Sequence, residues 1–219
     1  MTRPVKGKTE AGRRREKRAH ETRARIADAA LRLFLDRGYF ATTVESIAAE
    51  AGVAPATVYQ AFGTKQAVLA RALDATIAGD VAPVPLLERD WVRQARRYRS
   101  GKRRLAAVVG GAAEVAARTA PLKEVMRDAA AADPTVRSLI RDDHDRRRQT
   151  QRSLVELAIG DAELRPGMTM DRAADTFFLL VSSSNYQVAV DVLGWTYDDW
   201  QRWLIDALSN QFFAPSSSA

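Results

Sequence analysis

Thr43, Thr57, Tyr59, Gln60 and Lys65 bring hydroxyl, phenol, amide and ammonium groups into one short segment, residues 42–65. None of these side chains forms an acid–base pair or a metal set. Together they suit recognition of a polyanion with readable edges. Gln60 carries a donor and an acceptor that match adenine, and Thr57 can meet a base, a thymine methyl or a phosphate. Tyr59 can send its phenol to a phosphate. Thr43 stands at a predicted helix start, where free backbone N–H groups favour an anion. Lys65 opens a helix, where a cation opposes the macrodipole by a few tenths of a kcal/mol; a nearby phosphate would reverse that cost.

A second set of groups is purely electrostatic. Residues 1–25 hold ten Lys/Arg against three Glu, a net +7 that equals the charge of the whole chain, so the remaining residues are balanced. Such a block seeks a polyanion, either nucleic acid or an anionic membrane surface; a solubilising tail is the alternative. Arg13, Arg14, Arg15, Lys17 and Arg18 are its densest part. They are expected to follow a nucleic-acid backbone or enter a minor groove. The block lacks the interleaved aromatic or leucine residues of a membrane-surface helix.

These groups need elements to hold them. Residues 1–19 show no apolar periodicity and are expected as a basic flexible arm. A first helix is expected from about Glu21, with Ile26, Ala30, Leu33 and Phe34 as its apolar stripe and Gly38 as its stop. Thr42-Thr43-Val44-Glu45 reads as a capping box opening a second helix, which Gly52 ends. Pro55 starts a third, since proline is already preset for a first helical position. Ala48, Gly52, Val53 and Val58 then supply small contact, turn, plug and core residue of a helix-turn-helix, leaving the outer face of the third helix for a major groove. This domain is expected over 20–79.

From 80 to 219 the pattern remains helical, so the fold class is all-α: a three-helix helix-turn-helix domain followed by a helical ligand-binding and dimerisation domain. The Arg93–Arg104 run is expected as a solvated connection around a helical piece near Trp91. A helical stretch from Leu105 to Ala132 is expected to be interrupted at Thr119-Ala120-Pro121, Asp133-Pro134 to start the next helix, and one long apolar helix to span Asp171–Leu193. Phe177, Val181, Tyr186, Trp200, Trp203, Leu204 and Leu208 carry more apolar surface than one helix can hide in a monomer, and are expected at a homodimer interface; packing within one subunit is the alternative. Leu105, Val109, Leu122, Met126, Leu154 and Phe178, spaced by small residues, are candidates to line an effector cavity suited to an apolar or weakly polar molecule; a filled core is the alternative.

Glu21 to Leu73 resembles the N-terminal domain of the tetracycline-repressor (TetR) family. The likeness rests on Ala29-Ala30-x-x-x-Phe34, Gly38-Tyr39, Thr43, Ile47-Ala48, Ala51-Gly52-Val53, Tyr59-x-x-Phe62 and Lys65. It implies a homodimeric transcriptional regulator, usually a repressor. Paired heads would bind a palindromic double-stranded DNA operator, and a small-molecule effector would release them. By matching position it implies Thr43, Thr57, Tyr59, Gln60 and Lys65 as DNA contacts, with Ala54, Pro55 and Ala61 standing where the family often has larger or more polar residues. The alternative is a DNA-binding dimer without an effector, its C-terminal domain serving dimerisation or protein interaction. With two His, no Cys, no phosphate-cradling glycine loop and no metal-ligand spacing, no catalytic residue, metal or cofactor is expected. The chain has no run of 18 apolar residues; no membrane partner is expected, and a cytoplasmic, nucleoid-associated location is.

Overall fold

The computed structural model describes residues 10–79 and 84–214. The first nine residues of the expected arm, Pro83 of the expected connection and the serine-rich end lie outside the described residues. The chain divides into two compact units, Met1–Ala75 and Thr76–Ala219. No strand occurs among the described residues.

The first unit holds α1 (Glu10–Ala41), α2 (Val44–Ala51), α3 (Pro55–Phe62) and most of α4 (Lys65–Ala78). The first helix starts eleven residues before the expected Glu21, so residues 10–19 are helical rather than an irregular arm. Periodicity missed them because they have no apolar face. Their Arg, Lys, Glu and Ala are nonetheless strong helix formers, and Glu10 and Arg14 form an i,i+4 ion pair at 2.7 Å. Gly38 breaks the helical path (φ 76°, ψ 175°) and redirects the chain toward α2. Ile26, Phe34, Ile47, Val58, Leu69 and Leu73 form the buried interior of this unit.

In the second unit a 3₁₀ turn (Leu86–Glu88) leads to α5 (Asp90–Ala95), α6 (Gly101–Ala130), α7 (Pro134–Ile159), α8 (Met170–Leu180), α9 (Ser183–Gln187) with a π turn (Val188–Val192), and α10 (Tyr197–Phe212). Helix α6 packs on α5, α7, α9 and α10. It is long and apolar enough, by length and composition alone, to cross a membrane, but over half of its apolar window is buried inside this unit.

Two expectations are corrected here. Helix α6 runs unbroken through Thr119-Ala120-Pro121. Pro121 removes one backbone donor on an exposed side, while the Thr119 hydroxyl bonds the carbonyls of Val115 and Ala116, and packing on both flanks overrides the local signal. The single helix expected over 171–193 is instead broken at Val181-Ser182. Ser182 caps α9 by accepting from Asn185 N–H. The carbonyls freed at the end of α8 are taken by side chains: Phe178 by Arg147, Leu179 and Leu180 by Asn185, Val181 by Gln151.

Candidate nucleic-acid interface

The turn between α2 and α3 is built on Gly52, whose left-handed backbone (φ 64°, ψ 42°) an L side chain would strain. Val53 N–H then closes on the Ala48 carbonyl at 3.0 Å. Pro55 occupies the start of α3 as expected, and Val58 is its buried anchor. The opening of α2 differs from expectation by one residue. The capping box is Thr43 with Ser46, each side chain bonding the other's backbone N–H at 3.1 and 3.0 Å, not Thr42 with Glu45. Thr42 is buried and donates its hydroxyl to the carbonyls of Gly38 (2.8 Å) and Leu33 (3.2 Å), which ties the end of α1 to the start of α2.

The outer face of α3 is formed by Ala56, Tyr59 and Gln60, which recur at i, i+3 and i+4 and are all exposed; Tyr59 keeps 49% of its surface. Thr57 and Ala61 are half-buried at its edges. Ala56 was not among the sequence candidates. Its signal was its position one turn before Gln60, and its methyl suits a thymine methyl. Thr43 is exposed beside this face in sequence, its hydroxyl oxygen already accepting from Ser46 N–H.

Lys65 is placed differently from a solvent-facing cation. Its ammonium donates to the carbonyls of Tyr39 and Thr42, both at 2.9 Å, and lies 4.0 Å from the centre of the Tyr39 ring. Its charge is spent on the α1–α2 corner. Residues 42–65 otherwise hold only Glu45 and Glu50 as charged groups. Glu50 is paired with Arg32, which also pairs with Asp28. The head therefore presents hydrogen-bonding and apolar groups with no cation on the outer face of α3. On the first turns of α1, Arg14, Arg15, Lys17 and Arg18 are exposed cations; Arg13 is within the helix.

The expected interface residues of the second unit are mostly interior. Phe177, Val181, Trp200, Leu204 and Leu208 are buried within the single chain, in one core with Leu105, Val109 and Leu154. Only Trp203 and, in part, Tyr186 reach the surface. The physical reason is that both stripes are wide enough to have an inner and an outer edge, and the inner edge fills the space against α6 and α7. The large apolar side chains left exposed in this unit are Leu179, Val188, Val192, Leu193 and Trp203, with Val192 at 73% and Leu179 at 66%. Val188, Val192 and Leu193 lie on the π turn and at its end, Leu179 in the last turn of α8 and Trp203 on α10.

Of the six candidate cavity residues, five are buried and Phe178 is half-buried, with the Arg147 guanidinium 3.8 Å from its ring centre and His144 edge-on to it. Burial, then the Arg147 charge, push the His144 imidazole below its usual range. Two concavities of this unit are lined by other residues. One of about 160 Å³ lies among Ile77, Leu86, Trp91, Gly111, Val115 and Arg118. A shallower one of about 320 Å³ is lined by Tyr98, Arg103, Ala106 and Ala107.

Residues 26–72 match the profile of bacterial regulatory proteins of the tetR family. No curated protein matches the chain. Among solved structures, the chain is similar to a putative transcriptional regulator from Saccharomonospora viridis in complex with choline (TM-score 0.65, 22% identity, 89% of this chain and 99% of that one). It is also similar to FadR from Bacillus subtilis in complex with stearoyl-CoA (0.66, 18%, 84% and 96%). A third similar structure is NalD, the secondary repressor of the MexAB-OprM multidrug efflux pump in Pseudomonas aeruginosa (0.62, 19%, 88% and 96%). At these identities the likeness is one of fold, and it extends over both units. The family match lies within the N-terminal unit and spans its helix-turn-helix, from α1 through α4.

Proposed function

We propose that the protein is a homodimeric transcriptional repressor that reads a palindromic operator with paired α3 helices. The observation that carries this reading is the exposed Ala56–Tyr59–Gln60 face behind the Gly52 turn. Gln60 and Thr57 read base edges, Tyr59 and Thr43 meet phosphates, and the basic turns of α1 supply the charge that the head lacks. Selection of bound duplexes from a random pool tests it: a two-fold palindrome supports paired heads, and an unpaired or absent consensus overturns them.

Arg15, Lys17 and Arg18 are exposed. The triple change Arg15→Ala, Lys17→Ala, Arg18→Ala keeps good helix formers at each site. It is expected to flatten the dependence of log K on log salt by roughly 0.9 for each phosphate lost, or about 2–3 in all. An unchanged slope would remove α1 from the interface.

A second copy would cover the exposed apolar side chains between Leu179 and Trp203. Leu179→Asp with Val192→Asp alters surface positions only, and is expected to turn a dimer into a monomer in sedimentation while leaving helicity intact. Operator affinity should fall at least roughly 100-fold, because one head must then bind without its linked partner. A dimer that survives both changes places the interface elsewhere.

The shared fold, seen in other proteins with choline and stearoyl-CoA, supports release by a small apolar or weakly polar effector in the second unit. The close packing of Leu105, Val109 and Leu154 favours a second reading, in which this unit only dimerises or binds a protein. A thermal-shift screen with apolar compounds, paired with operator release, separates the two. Stabilisation with release supports the sensor; stabilisation without release supports the second reading.

A further inference from the structure

Uncompensated positive charge occurs in a second place, remote in sequence from the reading head. From Trp91 to Ala113 there are seven Lys/Arg and no Asp or Glu. Arg93 is paired with Asp90 and Arg104 with Asp161. Arg96, Arg97, Arg99 and Arg103 are exposed, and among the described residues their side chains make no ion pair or hydrogen bond. Elsewhere in this unit surface arginines such as Arg137, Arg148, Arg152 and Arg202 are occupied by carbonyls or carboxylates. Like charges crowded on one turn repel, so this arrangement lowers stability unless an anion joins it.

The same turn frames the 320 Å³ concavity. Tyr98, Arg103 and the small side chains of Ala106 and Ala107 line it, the two alanines one turn beyond Arg103 on α6. Gln94 donates to the Tyr98 hydroxyl at 3.3 Å. The carbonyls of Tyr98 and Arg99 accept from the buried Arg104 guanidinium at 3.2 and 2.9 Å. The backbone that carries the cations is thus anchored from beneath before any ligand arrives.

We propose that this turn is a binding site for a nucleoside polyphosphate. The phosphates would lie among Arg97, Arg99 and Arg103, and the base would rest on Tyr98 above Ala106 and Ala107. Arginine forks match phosphate oxygens in pairs. An aromatic ring beside them favours a flat, π-bearing group. A DNA duplex would use the arginines but leave the groove empty, since its base faces are hidden in the stack. This site is independent of the operator reading.

The test uses the full chain and a fluorescent N-methylanthraniloyl ATP, followed by anisotropy and competed with ATP, inorganic tripolyphosphate, adenosine and a random 20-base-pair duplex. Binding competed by ATP and poorly by adenosine is expected. The triple change Arg97→Gln, Arg99→Gln, Arg103→Gln should weaken it at least roughly tenfold. Tyr98→Leu should weaken ATP roughly fivefold or more while leaving tripolyphosphate unchanged. The Arg15, Lys17, Arg18 triple change should have no effect. If the arginine triple change fails to fold, Arg103→Glu alone is read in its place. No binding at millimolar ATP overturns the proposal. So does an unchanged Tyr98→Leu affinity, which would mark a general anion patch. Loss of duplex binding without ATP binding also overturns it, and would mark a nucleic-acid surface.

Discussion

Replacing Arg104 with methionine is expected to lower the unfolding midpoint of the second unit by roughly 10 °C, through a loss of about 3 kcal/mol. Arg104 is 8% exposed, and its guanidinium makes five hydrogen bonds. Nε and Nη2 reach the carbonyls of Ala158 and Ile159, the unpaired end of α7. Nη1 holds Tyr98 and Arg99 at the approach to α6, and Nη2 also meets Asp161 at 2.8 Å. Gly160, with φ 53°, lets the group come this close, since a Cβ there would stand 2.9 Å from Nη2. Methionine preserves most of the buried stem but leaves four carbonyls without this donor. Lysine has the charge but not the planar fork, so Arg104→Lys should recover less than half of the loss. Differential scanning calorimetry of the three proteins decides it; a midpoint within about 2 °C of the parent would mean that water replaces the guanidinium at little cost.

The same cluster has a pH signature. Arg104 holds the Asp161 carboxyl below the usual carboxylate range. A carboxyl depressed in the folded state contributes stability above its unfolded value, near 4, and that contribution fades as pH falls through the depressed folded value. Asp161 is itself exposed, so this share is small, and the carbonyl bonds do not titrate. Acidification from pH 6 to 3 should therefore remove a little more stability from the parent than from Arg104→Met.

What was legible in the sequence was local. Gly52, Pro55 and the Ile47–Ala48 pair each answer a backbone or packing demand within a few residues, and the helix-turn-helix followed from them. The same reading misassigned the Thr42-Thr43 pair because both residues can cap a helix. Only the position of Gly38 and Leu33 decides that Thr42 turns inward. Five of the seven interface candidates lie in the core for a related reason. Hydropathy counts apolar residues but does not tell the inner edge of a stripe from its outer edge. Trp200 and Leu204 went to the core, while Val188, Val192 and Leu193 were brought outward by a π turn with no sequence signature of its own. The first turns of α1 were missed because helix formation there rests on propensity and ion pairs rather than an apolar face.

Lys65 is where the two kinds of reading diverge most in consequence, and Lys65→Met separates them. As a phosphate ligand, Lys65 would add nothing to the free protein. In the structure it bridges the carbonyls of Tyr39 and Thr42 and sits over the Tyr39 ring. Charge-assisted hydrogen bonds contribute about 1.5–3 kcal/mol each where buried, and a cation over a ring about 0.5–2. Half-burial discounts both, so a loss of about 2 kcal/mol in urea unfolding of the DNA-free protein is expected, assigned to the first unit. Operator binding should weaken as well, because the α1–α2 corner sets the start of α2 and α2 carries α3. The salt dependence should nevertheless keep its slope, since no phosphate neutraliser has been removed. The opposite pair of results, unchanged unfolding and a slope reduced by about 0.9, would return Lys65 to the phosphate. The cation at a helix start, unfavourable to that helix by itself, has partners within the free protein: the carbonyls where another helix has ended.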